Sequence, residues 1–330
     1  MSNKGIFEIA IMARVTWDLH SLNNEGTVGN VTEPRTVVLA DGRKTDGVSG
    51  EMLKHIHTYN LWLLREDSIA LCPACRRLQP QKADHADTKA VILRRLEEVE
   101  DQRERNIKAV TEAIKGCALC DLHGFLLEQR RGRGEQRGQR IPPVSRRSTV
   151  EFGWAIGIPE VHRDIHIHAR HSMEERGAQR EEAEREAREV AAQMVYHRPT
   201  RSGVYAVVSV FQPWRISLNE IDYKYAIKAE ERECRYQLVL RGYKAMFMRT
   251  EGAMTSTRLP HIEGMEGLIA VSETNFPAPL ISPLRDDYQT EVGALAHQNS
   301  GITLHSFSSA AEFCSIMDDL AQREPFTMGG

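Results

Sequence analysis

Residues 16–59 read TWDLHSLNNEGTVGNVTEPRTVVLADGRKTDGVSGEMLKHIHTY, and this stretch guides the interpretation of the whole chain. It continues a run with apolar side chains at the odd positions from Phe7 to Trp17 and polar residues at several even positions. Such alternation is typical of a strand with one buried face. Ser49 is a suitable N-cap for a helix that begins at the next residue. The stretch therefore predicts a strand, a small-residue loop and a helix.

The predicted loop, Ser21–Asn30, combines glycines with amide and hydroxyl side chains. Glycine lets backbone N–H groups approach a phosphate closely, and amides and hydroxyls bond sugar or phosphate oxygens. The first turns of the following helix carry Lys54, His55 and His57. This combination indicates a binding site for a polynucleotide backbone. The alternative is a solvated loop followed by a surface helix.

The composition allows one substantial core, because 41% of the 330 residues are hydrophobic. The formal net charge of -3 does not indicate a nucleic-acid partner, so such a role has to rest on local basic patches. No apolar run is long enough to cross a membrane. Glu8 and Arg14 interrupt the N-terminal run, which we interpret as a strand and not as a signal peptide. We therefore expect a cytoplasmic protein with no membrane partner.

Two Cys-x-x-Cys pairs, Cys72 with Cys75 and Cys117 with Cys120, bracket a charged helical stretch over residues 88–115. Each pair can bind one side of a tetrahedral ion, so the pattern predicts a structural Zn²⁺ that ties both ends of the insertion together. Four thiolates leave no open position for a catalytic water. The polar second half of the stretch predicts a protruding arm. The alternative is two redox-active or merely buried pairs, which a reducing cytosol disfavours.

Two further segments have a marked composition. Arginine and glycine alternate over residues 129–140, which we expect to be flexible and to contact phosphates or stack on bases, although a solvated loop is the alternative. Polar residues alternate with Ile165 and Ile167, which predicts a strand, and residues 173–194 carry Glu and Arg at i,i+4 spacing, which predicts an exposed helix. Together they predict an extended hairpin tipped by a charged helix.

The predicted elements follow the order strand, helix, strand, strand, helix, strand, which is that of a ferredoxin-like or RRM-like sheet. The fold class is therefore α+β. We assign residues 1–65, 149–157 and 203–330 to a palm. Residues 66–148 form an insertion with the four-cysteine zinc site and the Arg/Gly-rich loop, and residues 158–202 form a thumb hairpin with the charged helix. The RNP signatures of an RRM are missing, so base stacking on the sheet is not expected.

Four short segments carry a resemblance to a known family: HSLN at 20–23, SGEMLKH at 49–55, DLHGFL at 121–126 and SGVYA at 202–206. In this order they resemble the major backbone subunit of the CRISPR type I Cascade complex, the Cas-seven family, and most closely its DevR autoregulator branch. Weaker similarity continues through residues 229–260, so nearly the whole chain is covered. The paired Cys-x-x-Cys motif departs from the family pattern.

The resemblance implies a subunit that lines up with further copies of itself along a guide RNA, the crRNA. It would bind the sugar-phosphate backbone and leave the bases free to pair with a target DNA strand. The thumb of one copy would reach over its neighbour and displace a base. Other Cascade subunits and a recruited helicase-nuclease are further implied partners. The expected RNA contacts are His20, Ser21, Asn23, Asn24, Gly29, Asn30, Lys54, His55, His123, Arg146, Arg147, Arg198, Arg201 and Arg258.

Catalysis is not expected. Related type III backbone subunits cleave target RNA with an aspartate in the loop after the first strand, but here that loop holds Glu25 and Glu33, and Asp18 lies at the strand end. An RNA endonuclease of that kind is the first alternative. The second is a zinc-stabilised DNA-binding regulator, which needs a DNA-reading helix, whereas the predicted charged helix is too acidic to fill a major groove well.

Overall fold

The structure is a computed structural model, and the residues that it describes are 5–28, 31–128, 142–159, 161–169, 195–253 and 255–329. The predicted Arg/Gly-rich loop over 129–140 and the predicted charged helix over 173–194 lie outside these ranges. Among the described residues, no helix combines the length and the apolar character that a bilayer span requires.

The described strands are β1 (Glu8–His20), β2 (Asn24–Val28), β3 (Val31–Pro34), β4 (Thr36–Val38), β5 (Lys44–Val48), β6 (Phe125–Leu127), β7 (Val144–Arg146), β8 (Val150–Phe152), β9 (Ala155–Gly157), β10 (His162–Ala169), β11 (Val195–Phe211), β12 (Leu218–Asn219), β13 (Lys224–Tyr225), β14 (His261–Ser272) and β15 (Ile302–Phe307). The described α-helices are α1 (Gly50–Leu64), α2 (Pro73–Arg76), α3 (Ala86–Arg94), α4 (Gln102–Gly116), α5 (Ala118–His123), α6 (Ala229–Met248), α7 (Tyr288–His297) and α8 (Ala310–Ala321).

The centre of the main sheet is antiparallel. β1 pairs with β11 on one side and with β14 on the other. β11 pairs in turn with β8 and β9, and β14 pairs with β15. In terms of the four predicted palm strands, the sheet runs fourth, first, third, second. Helix α1 follows the first of these strands, α6 follows the third, and the two helices contact each other. The predicted α+β class is confirmed.

Both faces of β1 are buried along its first half, which explains why it lies at the centre of the sheet. Ile9 and Ile11 belong to the main core beneath α1 and α6. Ala10 and Met12 point to the opposite face and pack in a smaller cluster with Val292 of α7. The apolar alternation therefore identified the main core correctly. It did not predict that α7 packs against the opposite face of β1.

The segment predicted as an open loop after β1 is a β-hairpin. β2 pairs with β3, and Val28 faces Val31, so two residues connect the strands. In the sequence, a Gly-Asn pair separates these two valines, and such a pair between β-branched residues is a common hairpin signal. The prediction of a loop over Ser21–Asn30 was wrong because it relied on the small residues and overlooked this hairpin signal.

The cysteine-bearing insertion packs against the palm. Ala109, Val110, Ala113 and Ile114 of α4 are buried and belong to the same core as β1. Their three- and four-residue spacing forms one apolar face, which contacts the rest of the protein while the charged face remains outside. The prediction of a protruding arm was therefore wrong for α4.

Candidate RNA-binding surface and metal centre

The four predicted metal ligands converge in the structure. The Sγ atoms of Cys72, Cys75, Cys117 and Cys120 all lie within 4.8 Å of one another, and all four side chains are buried. The Cys120 sulfur lies 3.9 Å from that of Cys72 and 3.8 Å from that of Cys75. A tetrahedral ion with sulfurs at about 2.3 Å places those sulfurs about 3.8 Å apart. The donor set and its spacing therefore fit Zn²⁺.

The two cysteine pairs share one local geometry. Cys72 caps the N-terminus of α2, and its Sγ accepts the Cys75 N–H at 3.4 Å. Cys117 caps α5 in the same way and accepts the Cys120 N–H at 3.4 Å. Hydrogen bonds to sulfur favour the thiolate that a metal requires. Each short helix thus presents its cysteines as a preformed half of the site.

The N-terminus of α1 is anchored to the end of β1. The Ser49 hydroxyl accepts the Met52 N–H at 3.2 Å, as an N-cap does. The Ser49 N–H donates to the Asn23 side chain at 2.8 Å. Asn23 and Ser21 are both buried, so these two predicted RNA contacts also shape the turn that leads from the sheet towards the helix.

The segment after α6 borders the same end of α1. The Arg258 Nη1 donates to the Ser21 hydroxyl at 2.8 Å, and the His55 Nε2 lies 3.1 Å from the Gly252 carbonyl oxygen. His55 is exposed and Arg258 is half-buried. These two predicted contacts therefore lie on the accessible border of α1.

Lys54 occupies the first turns of α1 and lines a cavity of about 460 Å³ together with Lys82 and His123. The ammonium makes no hydrogen bond or ion pair with the described residues. Burial, and after it the charge of Lys82, lowers the pKa of Lys54 to about 8. Lys54 is thus a half-buried cation that forms no ion pair with the described residues, which is the state that favours an incoming phosphate.

His123 lines this cavity as a neutral imidazole. Its Nε2 lies 2.9 Å from the His57 Nδ1, and the His57 Nε2 lies 3.2 Å from the Val239 carbonyl oxygen. A carbonyl only accepts, so His57 donates from Nε2 and accepts the His123 Nε2–H at Nδ1. Burial lowers the pKa of His57 to about 4 and that of His123 well below its ordinary value. His123 therefore adds no positive charge to this cavity.

His20 and Arg201 lie inside the protein, and the prediction that they contact RNA was wrong. The His20 Nε2 is 2.8 Å from the Tyr205 hydroxyl, which donates to Asp46 at 3.1 Å. Arg201 donates to Asp46 at 3.2 Å and to the Asn23 carbonyl at 2.9 Å. Burial, and after it the charge of Arg201, lowers the pKa of His20. This network joins β11 to β5 and to the turn after β1.

Arg146 is also buried, so the prediction that it contacts RNA was wrong. Its Nη2 donates to Asp121 at 2.5 Å, and Asp121 accepts from Arg235 at 2.8 Å and from the Ser217 N–H at 3.0 Å. All three charged side chains are almost completely buried. A buried carboxylate between two arginines is a structural junction, because removal of one partner leaves an uncompensated charge.

The remaining predicted contacts are spread along the chain. Arg147 is exposed and pairs with Glu151 at 3.0 Å. Arg198 is half-buried on β11. Asn24 begins β2, and the positions 29 and 30 lie outside the described residues.

Sequence reasoning missed Lys82, which the structure places beside Lys54. The Lys82 Nζ donates to the carbonyl oxygens of His123 and Gly124, each at 3.0 Å. No motif surrounds Lys82 in the sequence. Its position depends on the fold of the segment after Cys75, which the cysteine spacing alone does not specify.

Comparisons with known proteins give a family and a group of distant structures. The family described as CRISPR-associated negative auto-regulator DevR/Csa2 matches residues 11–292. The search of curated proteins gives no match. A chain of a "CRISPR RNA-guided surveillance complex, pre-nicking" is 11% identical, with 95% of this chain and 99% of that chain covered and a TM-score of 0.48. A second chain, from a "CRISPR RNA-guided surveillance complex", is 12% identical over 96% of this chain and 98% of that chain, with a TM-score of 0.46. Csc2 of Thermofilum pendens is 9% identical over 96% of this chain and 85% of that chain, with a TM-score of 0.33.

Proposed function

The chain belongs to the family described as CRISPR-associated negative auto-regulator DevR/Csa2, and from this premise we propose that it is the backbone subunit of a CRISPR RNA-guided interference complex. It binds crRNA through the sugar-phosphate backbone and assembles with further copies of itself along that RNA. The bases stay free to pair with a target DNA strand. Its remaining partners are other subunits of the complex and the helicase-nuclease that the complex recruits.

The observation that carries this proposal is the state of Lys54. An ammonium that is half-buried, that has no anionic partner among the described residues and that lies near the N-terminus of α1 supports contact with a phosphate. His55 and Arg258 border the same end of the helix and extend the polar surface. A phosphate contact carries no sequence information, which suits a protein that must hold any guide.

The sheet topology supports an RRM-like palm made of residues 1–65, 149–157 and 203–330. The order fourth, first, third, second, with a helix after the first and the third strand, is the arrangement expected of a ferredoxin-like sheet. β10 and β11 form a long hairpin on which Ile165 and Ile167 are 62% and 70% exposed. We assign this hairpin to the thumb, residues 158–202, which contacts the next copy along the RNA.

The insertion, residues 66–148, holds a structural Zn²⁺ through Cys72, Cys75, Cys117 and Cys120. The metal supplies a rigid cross-link between α2 and α5. Because the four cysteines complete the tetrahedral shell, the site serves the fold and leaves no position for substrate.

The test is to purify the chain without chelator and to extract and size the nucleic acid that accompanies it. A discrete population of short RNA supports the proposal. Absence of RNA favours the DNA-binding regulator, and bound duplex DNA would establish it. Cuts at regular intervals in complementary RNA with magnesium, lost in Asp18→Ala or Glu25→Ala, would establish the nuclease.

A further inference from the structure

The cavity between α1 and the cysteine insertion is built from both parts of the protein. Lys54 comes from α1, whereas Lys82 and Asp84 come from the 3-10 turn Lys82–Asp84 of the insertion. His123 and Gly124 follow the second cysteine pair. The cavity therefore exists only because the insertion folds against the helix.

Among the side chains that line this cavity, cations outnumber anions. Asp84 is the one acid among the residues that line it, and its carboxylate accepts from the Lys89 Nζ at 2.7 Å and from the Glu128 N–H at 2.8 Å. Lys82 donates to two carbonyl oxygens, so one of its three ammonium protons is left over. Lys54 donates none of its three ammonium protons to a described residue. Two neighbouring ammonium groups repel each other, and an anion between them removes that repulsion.

Lys82 is held in an unusual backbone conformation. Its φ is +50°, a region that costs energy for a residue with a β-carbon. The preceding segment is tied to the first cysteine pair, because the Leu78 N–H donates to the Cys75 carbonyl and the Lys82 N–H donates to that of Gln79. The turn that follows Cys75 thus fixes the position from which the Lys82 side chain extends.

We propose that Lys54 and Lys82 together hold one phosphodiester group of the bound RNA in this cavity, so that the cysteine insertion adds a phosphate contact to the α1 surface. This inference rests on the proposed function, since it names a phosphate site within the same RNA interface. A phosphodiester carries one negative charge and accepts several hydrogen bonds, which matches two ammonium groups and a neutral imidazole wall.

The test measures the affinity of the metal-loaded protein for a single-stranded RNA at several salt concentrations. Lys54→Gln removes one ammonium without touching the insertion, and Lys82→Asn removes the other with a residue that tolerates positive φ. Each variant should bind about fivefold more weakly at 0.1 M salt and show a salt slope lower by about 0.7, the value for one phosphate on a single strand. Because both lysines contact the same phosphate, the double variant should lose clearly less than the product of the two single effects.

The matched control is Lys115→Gln, which removes an exposed lysine of the same insertion that does not line the cavity. It should bind RNA as the wild type does. Melting curves and metal content establish that Lys82→Asn is folded, and Lys82→Arg, which keeps the charge, should retain most of the affinity.

The outcomes separate this inference from the proposed function. If the wild type binds no RNA, both are overturned. A second outcome is that Lys54→Gln weakens RNA binding, whereas Lys82→Asn is folded and metal-loaded and binds RNA with wild-type affinity and salt slope. That outcome overturns only the shared phosphate site. A third outcome is that inorganic phosphate occupies the cavity at micromolar concentration and that RNA affinity is unchanged in both variants. This result would identify a free anion as the ligand and would also overturn the shared phosphate site.

Discussion

Lys54 combines partial burial with proximity to a second cation. Burial and the charge of Lys82 lower the pKa of Lys54 to about 8, and the charges of Glu151 and Glu51 oppose the shift only in part. A phosphate placed beside Lys54 favours the charged form and raises this pKa again. The proposed binding of RNA at Lys54 would therefore be coupled to the uptake of a proton at or above pH 8.

We predict that RNA affinity falls as the pH rises through about 8. Above that pH, Lys54 of the free protein has lost its proton, and the proton must be taken up again when RNA binds. This uptake lowers the affinity for RNA by up to about tenfold per pH unit. The measurement is a titration with labelled RNA at pH 7 and pH 9 at constant ionic strength. Lys54→Arg, whose guanidinium stays charged, should bind with nearly the same affinity at both values. A wild-type affinity that is equal at both would contradict this coupling.

Gly124 allows the backbone of residues 146–148 to come close to the end of α5. Its φ is +68°, and a β-carbon there would lie 2.3 Å from the Arg146 carbonyl oxygen. We predict that Gly124→Ala lowers the free energy of unfolding by about 3 kcal/mol, since the clash is with backbone and the conformation is strained. Chemical denaturation measures this change.

The control for that prediction is Gly116→Ala at the end of α4. Apart from its chain neighbours and the backbone of its own helix, no described atom lies within 4 Å of a β-carbon at Gly116, so this substitution should leave stability unchanged or raise it by up to about 1 kcal/mol. Equal effects of the two substitutions would show that the close approach at Gly124 does not limit stability.

Arg146 and Arg147 show what sequence alone resolves at the scale of one residue. They are neighbours in a basic segment, yet Arg146 is buried against Asp121 while Arg147 is exposed. Composition counts both as positive charge available to RNA. The distinction depends on an aspartate distant in sequence, so only the tertiary structure reveals it. By contrast, the Ser49 cap is a local feature, and it was predicted correctly.

At the scale of elements, the proposed metal would join two short helices that also pack against the rest of the protein, α5 against α1 and α4, and α2 against α3. α2 has four residues and α5 has six, and isolated helices of that length are not stable in water. Four sulfur bonds to one ion would fix both helices relative to each other. The insertion between them would then keep a defined position against α1 and α6.

We predict one Zn²⁺ per chain in protein purified without chelator and its loss in Cys120→Ser. Loss of the metal should lower the free energy of unfolding by several kcal/mol, because binding of a structural zinc contributes directly to folding. Elemental analysis and thermal denaturation measure the two effects. Cys234→Ser, which changes an exposed cysteine of α6, should keep both metal and stability. Wild-type protein without zinc would contradict the four-cysteine site.

Elements with a clear period were predicted well, and irregular ones were not. Predicted helices over 50–65 and 226–249 correspond to α1 and α6. The stretch 88–115 is two helices, α3 and α4, and the second palm strand is divided into β8 and β9. Interruptions of this kind depend on contacts with neighbouring elements, and the periodicity of a sequence contains no information about those contacts.

For the whole molecule, the structure brings together segments that are far apart in sequence. The N-terminus of α1 lies between the segment after α6, which supplies Arg258 and Gly252, and the insertion, which supplies Lys82. A net charge of -3 is compatible with RNA binding if the cations are concentrated at this place. The cysteine spacing predicted that the insertion closes on itself. It did not predict that α5 of the insertion contacts α1, because that contact depends on the tertiary structure.

The most direct test of the account is the affinity of the purified protein for two single-stranded RNAs of equal length and unrelated sequence, measured also for Lys54→Glu and for the exposed control Lys115→Glu. We predict that the wild type binds both RNAs within about twofold, that Lys54→Glu weakens both by about tenfold or more, and that the control stays close to the wild type. Unchanged binding by Lys54→Glu at moderate salt, or a strong preference for one RNA sequence, would contradict a backbone-binding surface at α1.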